Sequence, residues 1–137
     1  MKEELLKLAK RVEALSGPDR GVDVEIFRVI GAPAPFQFMN KLIALEYNDI
    51  EQAYFARVTD DMQVRYAPPA YTASLDAAMT LVPEGWAWSV LDRRTTGYSK
   101  PNGQCWTKED RSTLHGDAAT PALALCAAAL RALAKEK

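Results

Sequence analysis

Apolar residues recur at helical spacing from the start of the chain. Leu5, Leu8, Val12 and Leu15 share one face of residues 2–15, with lysines and glutamates on the other. The run SGPDRG ends that helix, and Asp19 is placed to cap a second, RGVDVEIFRVI, which Gly31 closes. GAPAPFQF follows as a bend, because each proline drives its predecessor into extended backbone. Between residues 37 and 67 the pattern divides. MQVRY alternates as a strand does, whereas NKLIALEYNDIEQAYFARV fits a helix or a pair of strands equally.

Beyond APPA the periodicity is firmer. Thr72 or Ser74 can cap a helix reaching Leu81, with Leu75, Ala78, Met79 and Val82 inward. WAWSVLDRR and QCWTKE are aromatic and β-branched runs joined by the polar TTGYSKPNG, which predicts a β-hairpin with a long tip. HGDAAT reads as a loop in which Gly116 supplies a tight turn. Thr120 as N-cap and Pro121 at the first helical position open the last helix, since proline there forfeits no hydrogen bond. Its buried stripe would be Leu123, Cys126, Leu130 and Leu133, and its many alanines keep it thin enough to lie close on a sheet. A hairpin covered by helices makes the fold class α+β, or a layered α/β/α arrangement.

Length and charge narrow the functions. The 137 residues make one domain, 1–137, with an N-terminal helical segment at 1–31 and a helix–strand–strand–helix core at 69–135. A formal net charge of −1 gives no field to hold bulk nucleic acid. No apolar run approaches the ~20 residues of a membrane span, and the charged opening MKEELLKLAKRVEAL is no signal peptide. The expected location is therefore the cytoplasm, with Cys105 and Cys126 as reduced, buried thiols.

Candidate chemistry is sparse. His115, the chain's one histidine, could serve as a general base oriented by Asp117, or could be a partly exposed loop residue. One histidine and two distant cysteines provide no zinc spacing, so no metal or cofactor is expected. No phosphate-binding glycine loop, nucleophile elbow or dinucleotide fingerprint occurs. One constellation suits a small nucleotide. Trp86, Trp88 and Trp106 lie on the hairpin strands, Arg93 and Arg94 end the first, Tyr98 and Lys100 lie in its loop, and Arg111 follows the second. Two helix starts, at Thr120 and at Tyr71 and Thr72, could present free N–H groups to the same region. Aromatic faces stack on bases and arginine grips phosphate. The competing reading makes the tryptophans core and the arginines a solvated tip.

The segments PAYTASLDAAMTLVPEGWAWSV and HGDAATPALALCAAALRALA resemble the phage ABA-sandwich family of small phage and prophage proteins. They match its Tyr-Thr/Ser helix with a following tryptophan strand, and its closing Thr/Asn-Pro alanine-rich helix, over about residues 69–134. The resemblance implies a small three-layer α/β/α sandwich, its antiparallel sheet flanked by helices. It implies an accessory protein acting in the host cytoplasm by binding rather than catalysis, and it carries no catalytic motif. The expected function is to counter host defence by sequestering a small nucleotide signal. The alternative is an inhibitor of a host defence protein or a self-associating module, and a hydrolase using His115 and Asp117 comes third. Residues 2–15 form a seam that either docks on the domain or makes a homo-oligomer.

Overall fold

Among the described residues four helices supply most of the core, and the most buried of them organises the rest. The structure is a computed structural model describing residues 2–30, 36–38, 41–43, 45–59, 62–92, 100–109 and 112–136. In chain order these form α1 (Lys2–Ala14), α2 (Arg20–Ile30), β1 (Phe36–Phe38), β2 (Lys41–Ile43), β3 (Leu45–Asn48) and β4 (Ala53–Thr59). There follow β5 (Met62–Tyr66), α3 (Leu75–Met79), β6 (Trp86–Leu91), β7 (Asn102–Thr107), β8 (Thr113–Asp117) and α4 (Pro121–Glu136). The fold is α+β. β1 and β2 pair, β3-β4-β5 form one antiparallel sheet, and the hairpin β6-β7 with β8 forms another.

α4 begins where its sequence says it should. The Thr120 Oγ1 accepts the Leu123 N–H at 3.2 Å, and Pro121 follows at the first helical position. The expected stripe understates its burial, because every residue from Ala122 to Leu130 is buried. The β6–β8 sheet lies on one side of α4, and α1 and α3 pack on it too. Alanine lets the helix approach closely on every side. The approach to the sheet is tight at paired glycines, where Gly103 of β7 is in register with Gly116 of β8. A β-carbon on either would come within 2.5 or 2.4 Å of the Ala124 carbonyl oxygen. HGDAAT therefore does not begin as a loop. His115, Gly116 and Asp117 are the end of strand β8, and Gly116 is needed for clearance beneath α4 rather than for a turn.

The α1 stripe docks. Leu5, Leu8, Ala9 and Val12 are buried, and α1 packs chiefly on α4. Glu13 and Arg131 fasten the two helices through paired hydrogen bonds, one of them 2.9 Å long. The Arg131 guanidinium beside Glu13 holds that carboxyl below its ordinary value of 4.5, against the opposing effect of burial.

α2 is capped as expected, with the Asp19 Oδ1 accepting the Val22 N–H at 3.1 Å. Its Phe27 meets Tyr54 edge-on at 4.8 Å and Tyr66 at 5.7 Å, seating the helix on the β3–β5 sheet. The ambiguous middle is thus resolved into strands, whose tyrosines reach α2 from one pleated face. Residues 71–74 do not open as a helix start at Thr72. Ser74 is the N-cap, and Thr72 is buried in a polar pin with Asp23. The Asp23 Oδ1 accepts from the Thr72 N–H (2.8 Å) and hydroxyl (2.9 Å), while its Oδ2 accepts from Arg20 (2.9 Å). α3 stops at Met79, short of Leu81, where the Thr80 hydroxyl also donates to the Ala77 carbonyl at 2.6 Å. Met79, expected inward, is 38% exposed, whereas Leu81 is buried in the turn that follows. No helix among the described residues is long and apolar enough to cross a membrane.

Candidate functional site

The pleat of the β6–β8 sheet sorts its residues onto two faces. Gly103, Cys105, Leu114 and Gly116 face α4, and register puts Trp88 beside Cys105 and Val90 beside Gly103. Trp86 and Trp88 therefore point to the helix side, where both pack against the hydrophobic core. The Trp86 Nε1 donates to the Glu136 carboxylate at 2.6 Å, at the far end of α4 from Thr120.

Trp106 points the other way. It lies between Ala87 and Thr113 on the face turned from α4, with Ser89, Gln104 and His115 in the next row and Leu91, Asn102 and Asp117 beyond. A polar ladder runs along this face. The Gln104 Nε2 donates to the Asn102 Oδ1 at 3.0 Å, and the Asn102 Nδ2 donates to the Asp117 Oδ1 at 2.8 Å. His115 and Asp117 are both exposed on it, two residues apart on one strand. The Asp117 carboxylate is thus engaged by Asn102 rather than held against the imidazole.

The nucleotide constellation is only partly brought together. Trp86 and Trp88 lie on one face and Trp106 on the other, while Tyr71 and Thr72 are buried and already partnered. Burial pushes the Tyr71 hydroxyl up to about 12. Lys100 and Thr120 do share an end of the sheet, because the Ala118 N–H donates to the Pro101 carbonyl at 3.2 Å. Arg93, Arg94, Tyr98 and Arg111 lie outside the described residues. Cys105 and Cys126 are free and buried, and desolvation pushes both thiols up to about 12.

Sequence reasoning passed over Asn102, Gln104, Glu13 and Arg131. The first two were legible only as neighbours of a tryptophan in alternation, and the ion pair spans 118 residues. Elsewhere, three grooves are lined by described residues. One between α1 and α2 is lined by Glu4, Glu25, Arg28 and Val29. Another, of about 280 Å³, includes Arg20, Val24, Arg65 and Tyr66, and a third of about 230 Å³ includes Leu6, Leu114 and Ala134. None of the three includes a residue of the Trp106 face. Among the described residues no group of three histidine, cysteine or acidic side chains is placed to hold a metal ion.

No family model, no curated protein and no solved structure matches this chain.

Proposed function

We propose that this protein works by binding, as an accessory protein of the phage type its C-terminal half resembles. In this reading it counters host defence by docking on a host protein through the Trp106 face. One observation carries the reading. The pleat commits Trp86 and Trp88 to the helix side and leaves Trp106 on the other, ringed by Gln104, Thr113, His115 and the Asn102–Asp117 ladder. A large aromatic with polar groups around it is the composition of a protein-binding hot spot. A pleated strand surface also suits a protein partner better than a small ligand, which favours a concave site.

The test compares capture from a bacterial host lysate by the wild-type chain and by Trp106→Ala. Trp106 is half-buried and is not among the described residues packed on the core cluster, so the thermal midpoint of the variant is measured alongside to confirm that it folds. The specifically captured host protein should fall at least tenfold, as removal of a hot-spot aromatic implies. Equal recovery by both chains would overturn the reading.

A second reading, sequestration of a small nucleotide, is favoured by the α4 start. Thr120 and Lys100 lie at the end of the sheet from which the hairpin tip springs. A thermal-melt panel of mono-, di- and cyclic nucleotides separates the two. Stabilisation of the wild type that disappears in Arg93→Ala/Arg94→Ala and persists in Trp106→Ala would favour the tip.

A further inference from the structure

The β6–β8 sheet has two edges, and the molecule treats them differently. The Trp86 N–H donates to the Pro83 carbonyl at 3.1 Å, so it points away from β7. Backbone groups alternate direction along a strand, which sends the N–H and C=O of Trp88 and Val90 outward with it. The same alternation, carried across the registers of β7, turns residues 113, 115 and 117 of β8 outward. There the edge is occupied: the Asp117 N–H donates to Glu13 at 3.0 Å, and the His115 carbonyl accepts from Arg131 at 2.7 Å. On β6 the outward groups of Trp88 and Val90 have no partner among the described residues. The strand reads WAWSVL, with no lysine, proline or glycine to deter pairing. Its side chains from Trp86 to Val90 are half-buried, and Leu91 is 43% exposed.

We propose that β6 is a self-association edge, and that a second copy of this chain pairs with it antiparallel about a two-fold axis through Ser89. The strand is self-complementary in that register. Trp88 lies opposite the second copy's Val90, and Val90 opposite its Trp88. Each such pair exchanges two hydrogen bonds, which uses the outward N–H and C=O groups of Trp88 and Val90 and leaves the Trp86 N–H with Pro83. Opposed side chains share a face in an antiparallel pair, and from Ala87 to Leu91 both faces match, with Trp86 opposite Asp92 at either end. Trp88 meets valine on the α4 side, while Ala87 meets leucine and Ser89 meets serine on the other. A hydrogen-bonded two-fold contact of this kind is closed, so it ends at the dimer. Pairing also widens the open face from about 14 Å, for three strands, to about 29 Å for six. The pairing stands on the backbone geometry of the edge and not on the reading of the Trp106 face.

Sedimentation equilibrium on the full chain is the test, with a dimer expected at twice the 15.1 kDa chain mass. Leu91→Lys, at an exposed position, should give the single-chain mass while keeping the thermal midpoint of the dilute protein. Oxidised Ser89→Cys should run as a covalent dimer on a non-reducing gel, because opposed β-carbons are nearest in a non-hydrogen-bonded pair, at about 4.5 Å, which is the reach of a disulfide. Ala87→Cys should not, since it faces leucine across the axis, and the native thiols are buried. A single-chain mass at every concentration overturns the proposal. So does a dimer indifferent to Leu91→Lys, a cross-link through position 87 instead of 89, or an edge that takes only a foreign strand.

Discussion

A methyl group at position 116 would stand 2.4 Å from the Ala124 oxygen, 2.8 Å from the Ala127 β-carbon and 2.8 Å from the Ala128 nitrogen. Two of those three atoms are backbone and cannot swing aside. Gly116→Ala should therefore lift α4 from the sheet, costing about 3 kcal/mol as overpacking does. That is a fall in thermal midpoint on the order of 10 °C for a domain near this size. Gly17 is the control, because a methyl there would meet nothing within 4 Å, and Gly17→Ala should move the midpoint little. The two cysteines report on the same packing. With burial pushing both thiols up to about 12, the reactive thiolate is scarce at pH 8. A disulfide reagent should label neither in the native protein and both in denaturant, with labelling that follows unfolding. Rapid native labelling would mean that the α4 seat opens without global unfolding.

Elements are held together here by polar fasteners at their ends as well as by apolar faces. The Glu13–Arg131 pair joins α1 to α4 and also closes the β8 edge. Because the folded pKa of Glu13 is lowered, the pair contributes stability above about pH 4.5, and that contribution is lost as pH falls through the lowered value. Glu13→Gln should cost about 2 kcal/mol at pH 7, the range of a hydrogen bond between charged groups. The gap between wild type and variant in urea midpoint should shrink at pH 3, and a gap that did not shrink would assign the cost to packing instead. Elements of this kind were mostly legible beforehand. The α1 stripe, the Asp19 cap, the hairpin and the Thr120-Pro121 start each depend on residues close in sequence. Position 116 was misread because glycine serves two purposes, turning a chain or clearing a neighbour, and only the neighbour distinguishes them. The start of α3 stayed open between Thr72 and Ser74 because both are competent caps, and the Asp23 pin that takes up Thr72 comes from 49 residues away.

At the scale of the whole molecule, the candidate site turned on register. Trp86 and Trp88 are two residues apart, so any strand puts them on one face. Which face Trp106 takes depends on how β7 is aligned with β6 across the long tip, and residue types alone do not state that alignment. The burial of α4 on every side was likewise hidden, because alanine is compatible with a surface helix and with a central one. Its position has a consequence for synthesis. α1 packs chiefly on α4, which is made well after it, with 106 residues between Ala14 and Pro121. At 5–20 residues per second a ribosome needs roughly 5–20 s to make that stretch. A helix of 13 residues is marginal by itself, so throughout that interval the leucines of α1 have only α2, and not their main seat on α4, to settle on. The nascent chain should be a client of ribosome-associated chaperones through α1, however stable the finished protein is.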